Sequence, residues 1–79
     1  MYYVYILKSK KTGTYYTGYT QDLKNRLQYH NSGKTKSLWR RRPLEIIRVE
    51  EYATKPEALR RERHIKAYKG GEAFRKLIR

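Results

Sequence analysis

The chain opens on an apolar run. Tyr2 to Lys8 reads YYVYILK, rich in the β-branched and aromatic residues that suit a pleated surface. A polar stretch, KSKKTGT, follows with Gly13 as its turn residue, and Tyr15 to Tyr19 reads as a return strand. Proximity and composition pair the two as a hairpin, with the register left open. Beyond it the period changes. Leu23, Arg26, Leu27 and His30 fall at i, i+3, i+4 and i+7, one face of a helix. Thr20 or Asp22 can cap that helix, and Asn31, Ser32 and Gly33 end it. A basic loop over 32–43 leads to LEIIRVEEY, Leu44 to Tyr52, a third strand in which neither alternating set is cleanly polar. Thr54-Lys55-Pro56-Glu57 is a capping box with proline in the first turn. The helix it starts runs to about Tyr68 and stops at Gly70-Gly71. Glu72 to Arg79 is a last short helix that turns Phe74, Leu77 and Ile78 toward the core. Strand, strand, helix, strand, helix, helix is an α+β layer with helices on a small mixed or antiparallel sheet. Residues 1–79 are expected to form a single domain with a small core.

Charge adds a partner to this picture. Twenty Lys and Arg oppose seven Asp and Glu, a net of +13. That balance says little about fold and much about partners, and the partner it favours is nucleic acid. An anionic membrane surface is disfavoured, because no helix carries a large apolar face. No apolar run approaches membrane-spanning length and no signal peptide is visible, so the expected compartment is cytoplasmic. With no cysteine there is neither a disulfide framework nor a Cys-based zinc site. Two His and seven acids argue against a multi-ligand metal cage, while a one-carboxylate Mg²⁺ site stays open.

Five side chains are out of keeping with a plain core. Arg26 and His30 share a helix face with Leu23 and Leu27. A charged group there loses hydration unless its stem packs and its head reaches water. Leu59, Glu62 and Ile65 put Glu62 on the apolar stripe of the second helix. Glu62 can pair structurally with Arg26, pair with Lys66 one turn on, or bind a metal ion at the rim of the sheet. Tyr5 and Tyr16, on the two hairpin strands, can approach each other. Taken singly each residue has a structural explanation. Together they make a set suited to phosphate chemistry: Arg steadies a phosphate, Glu holds an ion, and phenol or imidazole orients or relays a proton from water.

These residues, in this order, resemble the GIY-YIG nuclease superfamily, and in particular small stand-alone bacterial proteins related to the nuclease domain of a bacterial excinuclease. YVY, Tyr3 to Tyr5, stands at the GIY position, and YTG, Tyr16 to Gly18, at the YIG position. Arg26 and His30 follow within DLKNRLQYHNSG, and EALRRERHIK, Glu57 to Lys66, resembles the helix that carries the family's metal-binding Glu, here Glu62. The resemblance covers nearly the whole chain. It implies a three-stranded antiparallel sheet flanked by helices, and a divalent ion, Mg²⁺ or Mn²⁺, at the catalytic face. It also implies hydrolysis of a phosphodiester by water, with a role in DNA repair or processing. By that similarity Tyr5 and Tyr16 bind or activate the water or touch the phosphate, and Arg26 stabilises the charged transition state. His30 supports the tyrosines or the leaving group, and Glu62 holds the ion. The chain departs from the pattern at Tyr19, where some relatives carry a Lys directly after YIG. That leaves Lys24 or His30 to tune the water's proton.

The nucleic-acid face is expected to include Lys34, Lys36, Trp39, Arg40, Arg41 and Arg42 from the loop, and Arg63 and Lys66 from the second helix. Trp39 can stack on an unpaired base or anchor the loop. DNA is favoured over RNA, and a monomer is the expected state. Many members of the resembled family add DNA-binding domains, so a protein partner supplying specificity is also expected here. The competing reading is a non-catalytic, basic nucleic-acid-binding module or adaptor. It explains the charge but has no need of the five residues together.

Overall fold

A computed structural model of the chain describes residues 1–34 and 38–78. Three strands, β1 (Tyr2–Ser9), β2 (Tyr15–Thr20) and β3 (Leu44–Tyr52), form one antiparallel sheet in the order β2-β1-β3. The helices are α1 (Leu23–Asn31), α2 (Lys55–Ala67) and α3 (Glu72–Leu77), with one 3₁₀ turn at Trp39–Arg41. This is the three-stranded α+β layer that the resemblance implied.

β1 is central, and both its faces are covered. Val4 and Ile6 pack against Ala58 and Ile65 of α2 and Phe74 of α3. Tyr5 and Leu7 face the other way, into Leu38 and Leu44, with Tyr16, Leu23, Leu27 and Ile46 around them. A strand buried on both sides reads as a continuous apolar run, which is why Val4 through Leu7 show no polar alternation.

A β-bulge explains the mixed pattern of β3. Ile6 pairs with Arg48, but Leu7 pairs with Ile46, so Ile47 is the extra residue. Parity flips there. Leu44 and Ile46 lie on the α1 side, whereas Ile47 and Tyr52 pack with the α2–α3 cluster. Beyond the bulge Arg48, Glu50 and Tyr52 share that second face and make a polar clamp. Glu50 accepts hydrogen bonds from Tyr52 Oη at 2.7 Å, Arg48 Nε at 2.9 Å and Arg61 Nε at 2.7 Å, and Arg48 Nη1 donates to the Leu77 carbonyl at 3.2 Å. One half-buried carboxylate thereby ties β3 to α2 and to the end of α3.

The helix ends follow the capping chemistry. Asp22, not Thr20, caps α1, accepting from the Asn25 N–H at 3.1 Å. Thr54 caps α2, and its hydroxyl donates to Glu57 at 2.8 Å. α2 closes through Lys69 and Gly70, both at positive φ, and α3 ends at Leu77, with Arg79 outside the described residues. The basic loop is fastened to α1. The Asn31 side chain accepts from the Leu44 N–H at 2.8 Å and donates to its carbonyl at 3.1 Å. Arg42 donates to the Asn31 and Trp39 carbonyls.

Candidate active site

Beside β2, at the edge of the sheet, lies a cleft of roughly 570 Å³. Tyr5, Tyr16, Gly18, Arg26 and Glu62 all line it. They come from four elements. Tyr5 and Tyr16 lie on the same face of neighbouring strands, because Tyr5 pairs with Gly18 and Tyr16 sits two residues before it. Their ring centroids are 6.5 Å apart. Arg26 reaches in from α1. Glu62 reaches in from α2, the layer on the opposite side of the sheet, past edge strand β2.

Glycine is required at position 18 by close approach. A Cβ there would lie 2.6 Å from the Tyr5 hydroxyl and 3.2 Å from a Tyr16 ring carbon. Two adjacent phenols can therefore lie over this strand only because it has no side chain at that point.

His30 does not line the cleft; it stands behind it. Its Nε2 lies 3.0 Å from the Tyr5 hydroxyl, and its ring packs edge-on against Tyr16 at 5.2 Å. Burial, helped by the Arg26 charge, lowers the His30 pKa below its usual value of 6.5, so the ring is neutral at pH 7. Burial, then the neighbouring Tyr16, push the Tyr5 pKa well above the ordinary 10.0, against the opposing pull of Arg26. Tyr16 is raised in the same direction by burial and then by Glu62. Both phenols are therefore protonated at neutral pH.

The shared helix face of Arg26 and His30 divides. His30 is buried and Arg26 is exposed, its guanidinium 5.6 Å from the centre of the Tyr29 ring. Among the described residues the Arg26–Glu62 ion pair does not form. Glu62 instead meets Lys66 at 3.7 Å, one turn along α2, with its own side chain 13% exposed. Among the described residues, two carboxylates line the cleft, Asp22 and Glu62. The Asp22 oxygens are engaged by the Asn25 backbone and side chain. Glu62 is thus the carboxylate left to face the cleft. Among the described residues no three His, Asp or Glu gather into a cage for an ion. The donor set fits a hard cation held by one carboxylate, with water and phosphate oxygens filling its shell.

The residues expected to contact nucleic acid are spread more widely. Lys34 and Arg63 are exposed, and Lys34 Nζ lies 5.9 Å from the Tyr29 ring centre. Trp39 is 46% exposed, with Arg40 and Arg42 against its ring at 5.4 and 5.8 Å. Arg41 gives its carbonyl to Ser9 Oγ, and Arg42 uses Nε and Nη1 to hold the loop. Lys36 lies outside the described residues. The pattern along the chain did not bring Lys55 and Tyr19 to the cleft, which they also line, or Tyr29 beneath Arg26. Tyr29 could have been found from its place three residues after Arg26. Lys55 gives no such signal, since the sheet edge that brings it to the cleft is a tertiary feature.

Comparison with known proteins gives one family. The GIY-YIG catalytic domain matches residues 1–72. A UPF0213 protein of Staphylococcus epidermidis is 46% identical over 68 residues, covering 85% of this chain and 82% of that protein. UPF0213 proteins of Staphylococcus aureus and Staphylococcus saprophyticus are 43% and 41% identical over the same length. Among solved structures, the solution NMR structure of a UPF0213 protein from Bacillus halodurans superposes with a TM-score of 0.50 at 36% identity, covering 94% of this chain and 92% of that one. No helix among the described residues is long and apolar enough to cross a membrane. The chain belongs to the GIY-YIG catalytic domain family, a family of nucleases that bind nucleic acid and generally use divalent metals.

Proposed function

We propose that residues 1–79 act as one metal-dependent endonuclease domain that hydrolyses phosphodiester bonds in DNA, in repair or processing, with selectivity for the structure of its substrate. The observation that carries this reading is the convergence of Tyr5, Tyr16, Arg26 and Glu62 on one cleft, with His30 hydrogen-bonded behind Tyr5. Glu62 would hold Mg²⁺ or Mn²⁺. When bound, such an ion lowers the pKa of water and offsets negative charge on phosphoryl oxygens.

The chain's own residues do the rest. A phenol with a raised pKa is a poor base by itself. With neutral His30 accepting at Nε2, the Tyr5 hydroxyl donates inward, and its oxygen lone pairs face the cleft. Tyr5 then takes a proton from water as its own proton passes to His30. Hydroxide attacks phosphorus, the bond to the leaving oxygen breaks, and that oxygen takes a proton from solvent. Tyr16 orients the phosphate or the water beside Tyr5. Arg26, a fixed cation at the open side of the cleft, steadies charge on the phosphoryl oxygens as it develops. The working compartment in this reading is the cytoplasm, and a monomer is the working unit.

Single-turnover cleavage by Arg26→Ala and Arg26→Lys tests the assignment. Loss of one such donor should slow cleavage by about 10²–10³, with Lys restoring part of the rate. Parent-like rates in both variants would remove Arg26 from the chemistry.

A further inference from the structure

A second groove of roughly 570 Å³ lies along the same edge strand, and the two meet at Tyr16, which lines both. It runs between the hairpin and the turn that closes α2. Lys66 and Lys69 supply its charge; Tyr15 and Phe74, packed edge to face at 5.1 Å, supply an apolar wall. Outside the groove's lining, Lys8 Nζ lies 5.9 Å from the Tyr15 ring centre. The turn holds its shape through the positive φ of Lys69 and Gly70 and a hydrogen bond from the Gly71 N–H to the Tyr68 carbonyl at 2.9 Å. No acidic residue lines this groove among the described residues.

We propose that this groove is a substrate subsite that holds the nucleic-acid strand on one side of the scissile bond, with Lys66 and Lys69 on a neighbouring phosphate and the Tyr15–Phe74 wall against its nucleoside. Two features of the groove choose this occupant over an apolar ligand. Its cations complement a phosphate, and it shares Tyr16 with the cleft, so a strand whose phosphate lies at Arg26 can pass directly into it. A sugar and base present an apolar face between phosphates, matching an aromatic wall set between lysines. Lys66 joins the two sites physically, since its other neighbour is Glu62 at 3.7 Å. A phosphate in the groove draws Lys66 away from that carboxylate. The inference rests on the nuclease reading for what occupies the adjoining cleft.

The test is binding, measured without cleavage. A labelled oligonucleotide is titrated in EDTA with the parent chain, with Lys66→Gln/Lys69→Gln, and with Lys11→Ala/Lys76→Ala, which removes the same charge elsewhere. The groove pair should weaken binding about tenfold and reduce the slope of log K against log salt by about 0.7–0.9 per cation removed. The control pair should shift affinity by less than half as much on a logarithmic scale. Amide resonances of Thr14 to Thr17 and Lys66 to Gly70 should move during the parent titration. Equal losses in both pairs, or unmoved groove amides, would overturn the subsite. Cleavage by the parent with Mn²⁺ is scored separately. An active parent with an unaffected groove pair removes the subsite and keeps the nuclease. An inactive parent with a weakened groove pair does the reverse.

Discussion

Tyr5 depends on two neighbours: the bare backbone of Gly18, which lines the cleft beside it, and His30 behind. Gly18→Ala should fold, because the backbone at Gly18 is not in the left-handed region, yet its methyl group has to displace the phenol. Cleavage should fall by about a hundredfold, as expected for a misplaced reacting group, and the melting temperature should drop by several degrees, since displacing a packed ring costs about 1–3 kcal/mol. Near-parent activity would mean the Tyr5 position is not critical. The pH profile tests His30. Its lowered pKa means the ring stays neutral until the pH falls below 6.5, so the acid limb should lie below that value and disappear in His30→Gln. For stability the sign is the same. The neutral buried ring contributes fully above 6.5, and the contribution is lost as pH falls from 6.5 through the lowered folded value. An acid limb that His30→Gln retains would assign it to another group. The periodicity of α1 put Arg26 and His30 on one face, and Arg26 lines the cleft while His30 stands behind Tyr5. It could not separate them, because four residues of helix rise carry one into the core and the other to solvent.

At the scale of elements, the sheet is joined to its helices by a charged clamp as well as by packing. Hydrogen bonds from Arg61, then Tyr52 and Arg48, hold the Glu50 pKa down at about 2 from 4.5, against the opposing effect of burial. Its stabilising contribution is therefore present above pH 4.5 and is lost as pH falls toward 2. Glu50→Gln should cost on the order of 2–3 kcal/mol, because it leaves two half-buried guanidinium groups without their anion. Chemical denaturation at pH 7 and again near pH 3 measures this, with a smaller difference between variant and parent at the lower pH. An equal difference at both values would place the clamp's contribution outside charge. This clamp was not legible in LEIIRVEEY. Alternation over that segment looked confused because a bulge at Ile47 exchanges the two faces midway, and a bulge leaves no mark in the order of residues. The capping box at Thr54, by contrast, was legible, and Asp22 was one of two candidate caps for α1, because both act on backbone only three residues away.

For the whole molecule, the net charge of +13 acts through its distribution. Cations border the cleft at Arg26 and Lys55 and continue along the neighbouring groove at Lys66 and Lys69. Oligonucleotide affinity should fall linearly in log K against log salt, with a slope set by the phosphates neutralised. A flat plot would remove the polyanion as partner. The ordered set of Tyr5, Tyr16, Arg26, His30 and Glu62 could be picked out along the chain because its order resembles the GIY-YIG pattern, although each residue taken singly has a structural explanation. How Glu62 joins the others could not. It belongs to the helix layer opposite Tyr5, and only the position of β2 at the sheet edge lets both reach one cleft.

The most direct measurement is cleavage of a labelled panel with Mg²⁺ or Mn²⁺, covering single strands, duplexes, flaps, forks and RNA, by the parent chain and by Glu62→Gln purified identically. Glu62 has no hydrogen-bonded role in the fold among the described residues, so Gln should keep the melting temperature within a few degrees. The expected result is metal-dependent cleavage of DNA by the parent, abolished in Glu62→Gln, with strand binding retained by both. Cleavage at equal rates by the two proteins, or salt-sensitive binding without cleavage by the parent on every substrate, would contradict a phosphodiesterase centred on Glu62 and leave a binding module in its place.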